Sequence, residues 1–391
     1  MFRWIILLLA LVVLLFLALF RVVTDTLEYH IISTPRASDA LGEFPMGHNL
    51  RSDRILEQIE YLPAKLRPQP VVIYVPNEMA AVRASQHELR TSRCRVANCI
   101  LSSAEVHRPT ADVVFFSPPT SSFSIEYPRP PHQLWVMQLL ESPENTMNLS
   151  DFNGRVMQCV CPFSSFTRFL QINYTASYRY DSDLVTPYGK WVSFEHPLRG
   201  IRSSRKPKTK KVLWLVSHCI TNNARMRYAN ELARYISVDV FGDCGERKLP
   251  KEDGIRLLRE EYKFYLAFEN SNCEQYVTEK FFDNALKNGA VPIVMGAPLE
   301  FYESVAPPHS FIHVDQFRSP KELAQYLQYL DSNEEAYNDY FKWQRYGEFV
   351  DTKFWCRLCS ILQQPKQKIY ADIEQWWHSP NQCNRRHQGY T

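Results

Sequence analysis

The chain has 391 residues, and its 45 Lys and Arg against 42 Asp and Glu leave a formal charge of +3. So weak a field excludes recruitment of nucleic acid by bulk charge, and 45% hydrophobic with 13% aromatic residues excludes general disorder. At about 100–200 residues per domain, the length allows two or three domains. No two of the 12 glycines are one residue apart, so a G-x-G-x-x-G dinucleotide fingerprint is absent; a G-x-x-x-x-G-K phosphate loop is absent as well.

Trp4 to Phe20 is an unbroken apolar run between Arg3 and Arg21. As a helix it would be about 26 Å long, close to the hydrocarbon of a thin internal membrane, about 27 Å. The run is longer than the apolar region of a cleaved signal peptide, about 7–15 residues, and it exits through Leu19, Phe20 and Arg21 with no clear cleavage site. The sequence therefore predicts a cytoplasmic tail over 1–3, a transmembrane signal-anchor over 4–23, a polar and Pro-containing stem over 24–65, and a lumenal remainder. Arg3 and the terminal amine favour this orientation, and Arg21 weakens it slightly.

Ten cysteines agree with an oxidising lumen. Cys356 and Cys359 form a C-x-x-C with no second C-x-x-C or His pair at zinc-ligand spacing, so disulfides are favoured over a metal. Asn148-Leu-Ser and Asn173-Tyr-Thr are N-glycosylation sequons.

From Val71 to about Gly200, short strand-like runs such as Asp112–Phe116 and Gln133–Leu140 alternate with Pro-rich loops, which defines a first domain over 66–200. Residues 201–211 carry six basic groups and no acid, and read as a solvated linker, with a phosphate-attracting rim as the competing reading. Beyond it, Val212–Ser217 reads as a buried-type strand, and Val238–Phe241, Phe264–Phe268 and Val291–Met295 read as further strands. Between them, Asn222 and Asn223 offer N-caps to a helix with Ala229, Leu232, Ala233 and Ile236 on one face. Thr278 can cap a further helix and Gly289 can end it. Strands alternating with helices predict a parallel α/β sheet over 212–362, with ligands at the carboxyl ends of its strands. Residues 363–391 are left as a tail.

Two strand-to-helix junctions carry the chemistry. Ser217 ends one strand, with Arg225 in the next helix's opening turn. Glu269-Asn270-Ser271 end another, with Tyr276, Glu279 and Lys280 around the following helix start. Helix starts favour anions, and two added cations suit a diphosphate; from spacing alone, both cations also fit ordinary exposed helix positions. Asp181-Ser-Asp183 is a D-x-D of the type that holds a divalent ion on a nucleotide diphosphate. No apolar strand leads into it, which favours structural hydrogen bonding.

The segment Lys263 to Lys280 (KFYLAFENSNCEQYVTEK), continued by Asn284 to Gly296, resembles the signature of the α1,3-fucosyltransferases of glycosyltransferase family 10. Trp135–Pro143, Tyr174–Gly189, Ser217–Leu232 and Phe354–Cys359 agree in order. The resemblance spans roughly residues 90–362, with the anchor and stem. It implies a Golgi type II membrane enzyme of GT-B architecture, two Rossmann-like domains facing a cleft, that transfers fucose from GDP-fucose to a glycan with inversion and without a required cofactor, a divalent metal being at most stimulatory. Glu141, in the family's Glu-Ser-Pro segment, is the expected catalytic base. Arg225 and Lys280 match its phosphate-binding positions, and Tyr276 and Glu279 its phosphate, ribose or fucose contacts; Ser217, Tyr188, Asn270 and Lys263 are further donor-site candidates. The resemblance also implies that Cys94 and Cys99 bond to Cys356 and Cys359. Two departures stand out: Ser117-Pro-Pro-Thr-Ser121 replaces the His-rich acceptor patch of Lewis-type members, and Gln275 replaces an Asp common before the tyrosine. The acceptor stays open between a lactosamine-type antenna and an N-glycan core. A transferase of another nucleotide sugar, or a silent Golgi glycan-binding protein, are the rival readings.

Overall fold

The computed structural model describes residues 54–76, 89, 92–117, 129–153, 157–158, 167–168, 171–198, 207–245 and 247–383. The predicted anchor, and the stem up to residue 53, lie outside them. No helix among the described residues is long and apolar enough to cross a membrane.

Strands β1 (Val71–Tyr74), β2 (Cys99–Ser102), β3 (Val113–Phe116), β4 (Leu134–Leu139), β7 (Tyr174–Ser177) and β8 (Leu184–Val185) form one parallel sheet in the order β2-β1-β3-β4-β7-β8. Strands β10 (Lys210–Leu215), β11 (Val238–Phe241), β12 (Tyr262–Phe268), β13 (Val291–Met295) and β14 (Ile312–His313) form a second, in the order β11-β10-β12-β13-β14, also parallel. Among the described residues there are also two short antiparallel pairs: β5 (Met157–Gln158) with β6 (Thr167–Arg168), and β9 (Trp191–Ser193) with β15 (Gly347–Phe349). The central strands read as continuous apolar runs because both of their faces are covered. All five residues of β13 are buried, and Phe264, Leu266 and Phe268 pack on one face of β12 while Tyr265 and Ala267 pack on the other.

The domain boundaries differ from the sequence reading at both ends. Helix Arg54–Glu60, assigned to the stem, is docked: Gln58 is fully buried, donates to Asp183 O (2.9 Å) and accepts from Arg357 Nη1 (2.9 Å). Helix Phe354–Ile361, assigned to the second domain, packs through Trp355, Leu358 and Ile361 against the first sheet's core. Its run WCRLCSI is buried on all sides, so it can only sit inside a core. Residues 363–383, assigned to a tail, lie on that sheet's opposite face, where Ile373 and Trp377 are fully buried. At the linker, β10 begins at Lys210, and Lys210 and Lys211 pair with Glu261 and Asp331.

Among the described residues, four disulfides tie these pieces: Cys94–Cys356, Cys99–Cys359, Cys219–Cys244 and Cys273–Cys383. The first two close loops of 262 and 260 residues between the first sheet and the late helix. A non-reducing peptide map is expected to recover all four; a thiol at any of these cysteines in the oxidised protein contradicts the assignment.

Candidate active site

The site forms where the carboxyl ends of β4, β10 and β12 meet. β4 ends at Leu139, and the next turn presents the exposed Glu141. Three donors converge on Glu141 Oε1: Tyr276 Oη at 2.6 Å, Asn270 Nδ2 at 3.0 Å and the Ser142 backbone N–H at 2.9 Å. Two of the three come from the second domain. The other oxygen, Oε2, takes no hydrogen bond from the described residues, so the carboxylate is oriented through one atom with the second left available. Ser142 Oγ and Asn145 Nδ2 each reach Ser271 Oγ at 2.8 Å, which adds a polar lock across the same junction. Tyr188 Oη donates to Leu140 O at 2.7 Å, one residue before Glu141, and its ring packs against cores from both domains.

Tyr276 is buried, and desolvation together with the nearby Glu269 and Glu141 carboxylates holds its phenol well above the ordinary tyrosine value. It therefore stays a proton donor towards Glu141. Gln275, just before it, adopts a left-handed φ of 62°, and its Oε1 accepts from Tyr180 N at 2.8 Å. In place of a charge, this residue supplies a neutral tie between the domains.

Glu269 ends β12 fully buried. Its oxygens accept from Thr278 N (2.8 Å), Thr278 Oγ1 (2.9 Å) and Lys280 Nζ (2.9 Å). Burial pushes the Glu269 carboxyl up, and Lys280 opposes that. For Lys280, burial alone would lower the ammonium, but Glu269 and Glu279 outweigh it and hold it above the ordinary lysine value. Glu279 Oε1 lies 3.6 Å from Lys280 Nζ. Sequence reasoning placed Glu269 at the strand end without giving it a role; its signal was a carboxylate closing an otherwise apolar strand.

Arg225 is buried beneath the junction. Its Nη1 donates to Phe268 O (2.8 Å) and its Nη2 to His218 O (2.6 Å), while Nε has no hydrogen-bond partner among the described residues. Burial lowers its pKa, opposed by Glu269. The helix Arg225–Leu232 is not capped by Asn222 or Asn223. Ala224 occupies the N-cap with φ 54°, and Asn223 instead donates to Glu269 O (2.9 Å) and Asn272 Oδ1 (3.0 Å). The Asn223 amide thus braces the site. Likewise Thr278 serves Glu269 and Lys280, and the helix that follows ends at Gly289 with φ 66°. Ser217 is exposed just past β10, beside Gly242.

Two sequence-derived candidates are corrected. Lys263 lies at the opposite, amino-terminal end of β12, where it pairs with Asp331 (2.8 Å) and sits over the Tyr337 ring. Five residues of strand, about 16 Å, separate it from Phe268, so it is no donor-site residue. Asn173 is buried, its Oδ1 accepting from Trp135 N (2.8 Å) and its Nδ2 donating to Lys368 O (2.8 Å). A glycan would consume that donor and has no room. Asn148 is exposed and fits the sequon. In a secretory host, glycopeptide mapping is expected to find a glycan on Asn148 and none on Asn173. Asn173→Gln should leave the glycan mass unchanged and lower thermal stability, each stranded buried partner costing about 1–3 kcal/mol. The D-x-D carboxylates are structural, as favoured: Asp181 pairs with Arg179, and Asp183 with Lys368 (2.6 Å), Tyr370 Oη (3.1 Å) and Thr175 N (2.9 Å).

Two parallel sheets, with an oriented carboxylate and a buried cation near their strand ends, define an α/β protein with a polar site at the carboxyl ends of its strands. Comparison with known proteins gives the family. Residues 68–189 match the fucosyltransferase N-terminal domain, and residues 205–376 the glycosyltransferase family 10 (fucosyltransferase) C-terminal domain, which carries the match past residue 362. The chain belongs to glycosyltransferase family 10. It is 38% identical to glycoprotein 3-α-L-fucosyltransferase A of Drosophila melanogaster over 86% of this chain and 67% of that protein. It is 38% identical to human α-(1,3)-fucosyltransferase 4 over 64% of this chain, and spans less than half, 46%, of that protein's length. A crystal structure of an α1,3-fucosyltransferase with GDP-fucose superposes with a TM-score of 0.49 at 19% identity, covering 79% of this chain and 94% of that one.

Proposed function

We propose that the protein transfers L-fucose from GDP-β-L-fucose, in α1,3 linkage and with inversion, to a GlcNAc residue of a glycan. The observation that carries this reading is Glu141, fixed through Oε1 by Tyr276, Asn270 and Ser142 with Oε2 open. In a single displacement, the acceptor O3 attacks C1 of fucose, the C1–O bond to phosphate breaks, the hydroxyl proton passes to Glu141 Oε2, and GDP departs with the bonding pair. The growing phosphate charge would face Lys280 and Arg225, whose Nε is a buried donor with no partner among the described residues and suits an anion. Ser217, Tyr188, Asn270, Tyr276 and Glu279 complete the proposed donor-side set. Relatives named for α-(1,3)-fucosyl transfer support the reaction, and the fly relative's name, a glycoprotein transferase, supports a protein-linked glycan acceptor.

GT-B architecture, with the acceptor on the first domain, fits the two sheets, and a Golgi membrane location with a lumenal catalytic domain fits the disulfides. The test is incubation of the protein with GDP-fucose and a panel of antennary and core N-glycans, with and without a chelator. Transfer that survives chelation is expected. Turnover only with another nucleotide sugar, or with none, overturns the reading.

A further inference from the structure

Residues 363–383 supply none of the site side chains named above, yet they are tied to both loops that carry those side chains. Glu374 Oε2 accepts from Leu149 N at 2.5 Å, and His378 Nε2 donates to Pro143 O at 3.0 Å, two residues beyond Glu141. At the far end, Gln382 O accepts from Glu274 N at 2.7 Å, and Cys383 is bonded to Cys273, three residues before Tyr276. Between these ties, the fully buried Trp377 meets the Tyr178 ring edge-on at 5.7 Å, and Tyr178 packs at 5.1 Å against Tyr276, the phenol that orients Glu141.

We propose that the carboxyl-terminal strap, through Trp377 and the Cys273–Cys383 disulfide, is a positioning element that sets the Glu141–Tyr276 pair across the domain junction. The two partners lie on loops of different sheets, and beside the direct bonds between those loops the strap is bonded to each and backs the aromatic stack behind the phenol. Removing Trp377 opens a void behind Tyr178, into which the Tyr178 and Tyr276 rings can relax. A misplacement of about 1 Å at such a pair lowers turnover by about a hundredfold. The kinetic part of this inference rests on the function proposed above.

The test uses the full chain with Trp377→Ala, Trp377→Phe and the paired Cys273→Ser/Cys383→Ser variant. Steady-state kinetics are read beside hydrogen exchange in segments 141–149 and 270–278. For Trp377→Ala, kcat should fall about 10–100-fold with KM for GDP-fucose within about threefold, and Trp377→Phe should recover most of it. Exchange in both segments should quicken at least about tenfold in Trp377→Ala and in the paired serine variant. Unchanged exchange in both, or a kcat that falls only with the unfolded fraction and is not rescued by Phe, overturns the proposal. A wild-type protein that transfers no fucose defeats the functional reading alone, and the exchange result still decides the positioning role.

Discussion

Glu141→Gln is expected to lower fucosyl turnover by about 10²–10⁴-fold while GDP-fucose binding stays within a few-fold of wild type. The substitution is nearly silent for structure. All three hydrogen bonds to the side chain end on Oε1, and a glutamine carbonyl accepts the same donors from Tyr276, Asn270 and Ser142. What changes is Oε2, an oxygen able to take a proton, which becomes an amide nitrogen that cannot. Single-turnover rates with a titrated donor separate this loss from weak binding. Turnover equal to wild type would remove Glu141 from the proton transfer. Tyr276→Phe should give a smaller loss, because two of the three restraints persist.

Lys280→Ala is expected to destabilise the fold by about 3–5 kcal/mol as well as to weaken donor use. The reason is Glu269, fully buried and paired with the Lys280 ammonium at 2.9 Å. Without that ammonium, the carboxylate keeps only Thr278, and its raised pKa moves further up. A carboxyl whose folded pKa exceeds its unfolded value lends stability that is complete below the unfolded pKa and fades as pH rises through the folded one. The gap between wild type and Lys280→Ala should therefore be narrow near pH 4.5 and widen towards neutrality. Glu269→Gln in the Lys280→Ala background should recover much of the stability and none of the donor affinity. A gap that does not depend on pH, or a double variant no more stable than Lys280→Ala, contradicts the buried-pair account.

The strands were legible from their composition: the fully buried β13 coincides residue for residue with the apolar run Val291–Met295, and the half-buried edge strand β11 coincides with Val238–Phe241, where Asp239 interrupts the apolar residues. The Glu141, Asn270, Tyr276 and Lys280 cluster was legible through its motifs and the rule that ligands gather at strand ends. That Tyr276 holds Glu141 across the domain junction was not, since no local pattern encodes a contact between residues 135 positions apart. The same limit hid the ends of the chain. Helix Arg54–Glu60 shows a short amphipathic stretch at Ile55, Leu56 and Ile59, which does not say where it docks, and residues 363–383 are mostly polar, with Ile373 and Trp377 fully buried. The Asn173 sequon misleads for the same reason: three residues specify the acceptor chemistry and say nothing of the backbone groups its amide serves. Lys263 stood inside the strongest motif, but strand direction alone places it at the wrong end of β12.

How the new bond is made is read most directly by NMR of the purified product formed from GDP-β-L-fucose. The expected result is a fucose anomeric proton of α configuration with a through-bond correlation to carbon 3 of a GlcNAc residue. A β anomer, or attachment at any other position, would contradict a single inverting displacement at the GlcNAc O3 with Glu141 as the base.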